Sequence, residues 1–242
     1  MIPKKIHYIW LGNNKKDRVS KICINSWKAN LKGYEIIEWN ESNLPINEIA
    51  AENFFFAKCM KYKLWAFMSD YLRLWILYRE GGIYLDTDVE VLKEFDSLLN
   101  YPMFLGYEVN DYLGTGIIGA DKENPFVNEL LKFYDDKIWH VGYYNNPMIF
   151  SNVLKENKEM NKYCEILPRN MLSPYDPFSD VEVERVGSDD TYTIHWFNAN
   201  WGMTRKGYVF LNTKQYSGAK KAVEVMRKNI GYELRKLGIK QF

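Results

Sequence analysis

Residues 60–92, MKYKLWAFMSDYLRLWILYREGGIYLDTDVEVL, restrict what this chain can fold into more than any other stretch. Positions 64–77 are apolar on nearly every side (Trp65, Phe67, Met68, Leu72, Leu74, Trp75 and Ile76), and a helix that is apolar all round belongs in a core. The pattern stops at Gly81-Gly82. Ile83-Tyr84-Leu85 then reads as a short buried strand, and it ends in two aspartates, Asp86 and Asp88, one residue apart. In open α/β sheets the carboxyl end of a buried strand is where ligands bind.

Successive strand side chains point to opposite faces, so an extended backbone puts Asp86 and Asp88 on one face and Thr87 on the other. Side by side, two carboxylates repel unless a cation lies between them. A hard divalent ion, Mg²⁺ or Mn²⁺, suits oxygen ligands and leaves positions open for substrate phosphates. The tripeptide alone has little specificity, because Asp-x-Asp also occurs as a solvated turn or a helix cap. Its place after a buried strand is what points to a metal–diphosphate site. Asp70 and Arg73 are a second oddity, lying three residues apart on one face of the apolar helix. Buried charges are rare unless paired. A mutual ion pair fits the spacing, and so does a pocket wall that binds a polar ligand.

Elsewhere, residues 6–11 read as a buried first strand that ends in the turn Gly12-Asn13-Asn14. Asp17 can cap a helix running to about residue 31, Gly33 stops it, and residues 34–39 make a second strand. This opening predicts a parallel sheet of the α/β class. Residues 40–57 look looser, around Pro45 and Phe54-Phe55-Phe56. Beyond the aspartates, residues 103–108 and 116–120 read as strands and helices start near Pro125 and Pro147. Residues 163–190 read as loops and short strands, and 192–197 as a last strand.

Residues 217–237 make an amphipathic helix with an apolar stripe of Ala219, Ala222, Val223, Met226, Ile230, Leu234 and Leu237. From Lys214 onward eight basic residues stand against two acidic ones, a net charge of +6. The expected division is an α/β domain over 1–213 and a basic helix over 214–242, packed on the domain or lying at a membrane surface. Ala and Val are weak membrane anchors, which favours packing on the domain.

Composition narrows the function classes. The chain has 242 residues, 47% of them hydrophobic, enough for one large core. A net charge of +1 provides no global field for nucleic acid, and no nucleic-acid partner is expected. Cys23, Cys59 and Cys164 lie far apart with no Cys-x-x-Cys, so neither a zinc site nor a disulfide framework is indicated and a reducing compartment fits. The apolar run near the start is too short for a signal peptide, and no run approaches a membrane span. The expectation is a cytoplasmic protein, at most peripheral at the inner face of the cell membrane.

The segments IPKKIHYIWLG, SDYLRLWILYREGGIYLDTDVEVL, GTGIIGADKENPF and TIHWFNANW, in that order from Ile2 to Trp201, resemble the DXD-containing sugar-binding glycosyltransferases. That group includes yeast-type initiating α-1,6-mannosyltransferases, bacterial capsule-synthesis transferases and the glucosylating domain of large clostridial toxins. The combination of Asp-x-x-Arg in a buried helix, Gly-Gly-x-Tyr-x-Asp-x-Asp and a later His-Trp is far more specific than any piece alone. The resemblance implies a GT-A fold, a single α/β domain with a C-terminal helix, retaining transfer, a nucleotide-diphosphate sugar donor and Mn²⁺ or Mg²⁺. By position it implies that Asp88 and Asp86 hold the metal, with His195 near the metal or diphosphate. Asp70 and Arg73 would hold the donor sugar and Tyr84 would line the same pocket. Trp10 would stack on the base, and Trp201 would close over the diphosphate. Asn200 stands where relatives carry a small hydroxyl residue. Asn145-Asn146-Pro147 resembles a Thr-Gly-Pro turn, which would let Asn146 touch the donor. His7, within the first strand, reads as structural, and His140 has no evident partner.

The chemistry expected is departure of a nucleoside diphosphate whose growing charge is met by the metal and by donor groups. No carboxylate is obviously placed as a nucleophile. A front-face transfer, in which the leaving phosphate takes the acceptor's proton, therefore fits. The acceptor expected is a saccharide, lipid-linked in one version, in synthesis of a bacterial polysaccharide such as a capsule, with a UDP-sugar as the favoured donor. Two alternatives stand beside this. A sugar nucleotidyltransferase would need a Gly-rich basic phosphate loop, and the loop Gly12-Asn13-Asn14-Lys15-Lys16 has one glycine. A non-catalytic carbohydrate-binding relative would be expected to lack one aspartate of the pair.

Overall fold

A computed structural model describes residues 1–109, 112–179, 186–198, 202–236 and 238. The elements run β1 (Lys5–Ile9), α1 (Arg18–Asn30), β2 (Glu35–Trp39), α2 (Ile46–Glu52), α3 (Phe54–Lys61), α4 (Trp65–Glu80), β3 (Gly82–Leu85) and β4 (Val89–Val91). They continue with β5 (Met103–Gly106), β6 (Ile117–Ala120), α5 (Pro125–Asp135), α6 (Asn146–Glu156), β7 (Glu165–Leu167), α7 (Arg169–Leu172), β8 (Thr193–His195), α8 (Arg205–Thr213) and α9 (Gly218–Lys236). Six strands form one mixed sheet in the order β2-β1-β3-β6-β5-β7, and β4 and β8 pair antiparallel beside it. Strands β2, β1 and β3 are parallel, and β6 is antiparallel to both its neighbours. Helices α3 to α6 cover one face of the sheet with a core that includes Tyr84, Leu72 and Phe126. The other face buries Ile83 and Leu85 with Trp27 of α1. Alternation along β3 is what sends Tyr84 to the α4 side and its neighbours to the other.

From β1 the chain winds out to β2, then returns through α2, α3 and α4 to β3 on the opposite side of β1. The carboxyl ends of β1 and β3 therefore lie where the winding reverses, the place in such sheets where a crevice opens. Helix α4 reaches β3 without a loop because Gly81 takes φ +62° and its N–H closes on Leu77 O at 2.9 Å. Gly82 has φ +109°, and a Cβ there would lie 2.7 Å from His7 Nε2, so both glycines are required.

Several expectations change. Residues 40–57 are not loose: α2 and the start of α3 occupy them, and the Asn53 side chain caps α3 by accepting from Phe56 N at 2.7 Å. The aspartates are not on a strand face. Strand β3 ends at Leu85, and Asp86 to Asp88 form a turn closed by Val89 N on Asp86 O at 3.0 Å. That turn is braced by α1, whose buried Trp27 donates its indole N–H to Val89 O at 2.7 Å. The last strand is shorter than expected, and Phe197 turns the chain with φ +50°. Helix α9 packs on α8 through Tyr232, which lies against Tyr208, and it leaves Val223, Met226 and Ile230 of the expected stripe exposed, with Leu234 half-buried and Leu237 outside the described residues. Among the described residues no helix is long and apolar enough to cross a membrane.

Candidate active site

At the ends of β1 and β3 lies a cleft of about 440 Å³ whose walls include Trp10, Asp70, Arg73, Asp86, Asp88 and His195. Arg73 is its hub. The guanidinium meets Asp70 Oδ1 at 3.0 Å and Asp86 Oδ1 at 3.2 Å, donates to Thr115 O at 2.5 Å, and lies 4.5 Å from the centre of the Tyr84 ring. Burial works against its charge, but Asp86, Tyr84 and Asp70 outweigh burial and hold it more firmly protonated than an ordinary arginine. The Tyr84 hydroxyl donates to Asp86 Oδ1 at 2.7 Å, so it accepts from Ser69 Oγ at 3.1 Å. Arg73 also donates to Asp86 Oδ2 at 3.3 Å, so both oxygens of Asp86 are held from the α4 side.

Asp70 is 2% exposed, and its Oδ2 has no hydrogen-bond partner. Burial pushes its pKa up to about 7, Arg73 pulling it down and Asp86 adding to the rise. A buried carboxylate oxygen left unpaired in a cleft wall is a ready acceptor for a ligand hydroxyl.

Across the cleft, Asp88 accepts from the backbone N–H of Asn198 at 2.8 Å and lies 3.4 Å from His195 Nε2. Burial raises its pKa, but His195 and the backbone amides more than offset this and keep it ionised. Pairing of β4 with β8 sets Val89 opposite His195, and Trp196 N donates to Asp88 O at 3.0 Å. These bonds bring a histidine 107 positions downstream to the aspartate turn. Burial disfavours the imidazolium, yet Asp88, Glu108 and Asp86 raise its pKa to about 10. Glu108 Oε2 is 3.7 Å from His195 Nδ1, which is buried without a hydrogen-bond partner.

Ligand atoms of Asp86, Asp88 and His195 all lie within 4.8 Å of one another. Two carboxylate oxygens, with one imidazole nitrogen once a cation displaces its proton, form a donor set that suits Mn²⁺ or Mg²⁺, and the excess of negative charge with a third carboxylate nearby favours a cation. The residues present fit the metal that the resemblance implies.

Trp10 stands at the outer end of the cleft, its indole N–H donating to Asn14 O at 2.7 Å and Lys16 Nζ 5.3 Å from its ring. Beyond it opens a shallower depression of about 570 Å³ between Lys15, Lys16, Glu38 and Glu41, which holds none of the clustered carboxylates. Asn146 is placed differently from expectation. It is fully buried, accepting from Tyr134 at 2.6 Å and donating to Asp70 O at 3.2 Å, so its amide is spent on the helix behind Asp70 and its neighbour Pro147 reaches the cleft instead. Asn200 and Trp201 lie outside the described residues. His7 is structural: Nδ1 accepts from Trp39 Nε1 at 3.0 Å and Nε2 donates to Gly81 O at 2.8 Å. His140 is a surface residue 3.4 Å from Asp136.

Four contributors escaped the sequence reading: Ser69, Glu108, Thr115 and Asn198. Asn198 also donates to Asp17 Oδ2 at 3.0 Å, so the residue that caps α1 steadies the backbone that holds Asp88. No periodicity marks these residues, because each acts through a contact remote in sequence.

Residues 17–105 match the family described as "Glycosyltransferase sugar-binding region containing DXD motif". Inositol phosphoceramide mannosyltransferase 3 of Schizosaccharomyces pombe is 29% identical over 136 residues, covering 54% of this chain and 36% of its own length. Inositol phosphoceramide mannosyltransferase 1 of the same organism is 24% identical over 230 residues, covering 89% of this chain and 67% of its own length. The chain therefore spans about a third of the first relative's length. Among solved structures, PaToxG Glycosyltransferase superposes with a TM-score of 0.51 at 20% identity, over 66% of this chain and 73% of that one. That likeness shows the fold, which is of the GT-A type.

Proposed function

We propose, from the match of residues 17–105 to the sugar-binding region of the DXD-motif glycosyltransferases, that the chain moves a hexose from a nucleotide-diphosphate sugar to a saccharide acceptor. The observation that supports it most directly is that one cleft is lined by two adjoining groups: the unpaired Asp70 Oδ2 beside Arg73, and the Asp86–Asp88–His195 cluster that Arg73 touches through Asp86. Asp86, Asp88 and His195 would hold Mn²⁺ or Mg²⁺, which when bound supplies positive charge to the departing diphosphate.

Asp70 accepts a sugar hydroxyl through Oδ2, and Arg73, fixed by Asp70, Asp86 and Thr115, orients the ring from the same wall. Trp10 offers a face for the base, with a UDP-sugar as the favoured donor. Both Asp86 oxygens are engaged by Arg73 and Tyr84, and Asp70 Oδ2 is given to a sugar hydroxyl, which supports transfer with retention by front-face attack. The acceptor hydroxyl's proton then passes to the leaving phosphate oxygen. A role in polysaccharide synthesis, on a free or lipid-linked acceptor, completes the proposal.

The test is donor hydrolysis by the purified chain with Mn²⁺, each common nucleotide sugar in turn, alongside Asp88→Ala. Release of one nucleoside diphosphate, lost with chelator and in the variant, supports the reading and identifies the donor. No release, together with no metal-dependent thermal shift by UDP or GDP, would return the chain to a non-catalytic carbohydrate binder.

A further inference from the structure

Helix α9 is amphipathic in the opposite sense from a helix that merely caps a domain. Its inward side is held by polar and aromatic contacts: Tyr232 against the Tyr208 ring at 5.5 Å, its hydroxyl donating to Met203 O at 3.0 Å, and Arg235 5.3 Å from the Tyr208 ring. Its outward side carries Val223, Met226 and Ile230, exposed by 64%, 67% and 56%. With Ala219 and Ala222 these positions recur every three or four residues, so they form one stripe down the helix. At 100° per residue, Lys220 and Arg227 border the stripe on one side and Lys236 on the other. Glu233 falls between Ala222 and Met226 on the same face, where it is paired with Arg205 at 3.2 Å.

Charge selects the occupant of this face. Within Gly218–Lys236 six basic residues stand against two acidic ones, a net of +4, whereas the whole chain carries +1, so the remaining residues sum to −3. A second copy docking stripe to stripe would bring the bordering Lys220, Arg227 and Lys236 of each copy toward one another, which is repulsive. An anionic bilayer answers both features, since its headgroups attract the flanking cations and its interface accepts the short apolar side chains. We propose that α9 is a peripheral membrane-docking surface that lays the Val223–Met226–Ile230 stripe onto anionic lipid. This inference stands independently of the transfer reaction.

The experiment sediments the full chain with sucrose-loaded vesicles of phosphatidylcholine alone, or with roughly 30% phosphatidylglycerol added. Expected is pelleting with the anionic vesicles only, weakened when salt rises from about 0.1 to 0.5 M. The variants V223S/M226S/I230S and K220E/R227E each lower the partition by roughly tenfold or more, with the thermal unfolding midpoint of the soluble chain unchanged. Equal pelleting on neutral vesicles, or none on either, overturns the proposal. So does concentration-dependent dimerisation in analytical ultracentrifugation that the triple variant abolishes, which would assign the stripe to a second copy.

Discussion

Replacing Asp70 with Asn should make this protein more stable at neutral pH while weakening its site. Folding moves the Asp70 pKa from 3.8 to about 7, burial being the main cause and Asp86 a secondary one, against the pull of Arg73. A rise of about 3 units at 1.36 kcal/mol each disfavours the folded carboxylate by about 4 kcal/mol. Below pH 3.8 the group is protonated in both states and contributes nothing. Between 3.8 and 7 the folded chain holds a proton that the unfolded chain has lost, so stability falls as pH rises, and the loss levels off above 7. Asn is neutral throughout, keeps the shape, and can still accept from Arg73, which retains Asp86 as its partner. Urea unfolding of both proteins at about pH 5 and pH 8 should show the variant gaining about 2–3 kcal/mol on the native chain across that interval. Donor turnover should fall by roughly 30- to 150-fold, the loss of one charge-assisted hydrogen bond from Oδ2. If the variant is less stable at both pH values, with the same pH dependence as the native chain, Asp70 is not a strained buried charge and the assignment of Oδ2 as a waiting acceptor fails with it.

Three further outcomes follow from other parts of the structure. Burial lowers the His7 pKa from 6.5 to about 4, so stability present above pH 6.5 is lost as pH falls toward 4, by about 3 kcal/mol; His7→Gln should flatten that limb in acid titrations of the unfolding free energy. Asp17→Ala should cost about 0.5–2 kcal/mol for the lost α1 cap and also raise the donor KM by freeing Asn198. Asp17→Ser should restore the thermal midpoint but not the KM, because serine caps but is too short to reach Asn198. Gly82→Ala should lower the midpoint by roughly 6–12 °C, since alanine at φ +109° with its Cβ against His7 and Lys5 costs about 3 kcal/mol; an unchanged midpoint would contradict the close approach of β3 to β1.

The buried unit from α4 to β3 was legible because it depends on local pattern alone: apolar residues on every side of the helix, a glycine pair that only a left-handed turn requires, and a short strand ending in aspartate. Asp70 and Arg73 could be paired from helical spacing, and their burial followed from their neighbours. The α/β class was likewise readable, and the family resemblance added the GT-A arrangement. The short helices α2 and α3 were hidden by Pro45 and the three phenylalanines, although the Asn53 cap is visible in retrospect.

What the sequence determined by itself was therefore the set of elements and the chemistry they carry, since helix and strand periods and glycine geometry act over a few neighbouring residues. Only the tertiary structure decided where those groups meet. It placed the aspartates on a turn instead of a strand face, brought His195 to Asp88 through the β4–β8 pairing, spent Asn146 on Tyr134 and the Asp70 carbonyl, and left Val223, Met226 and Ile230 of α9 exposed. Each of these depends on partners tens of residues away, and contacts at that range are set by sheet order and by which buried polar group finds a hydrogen bond, neither of which is written in local pattern.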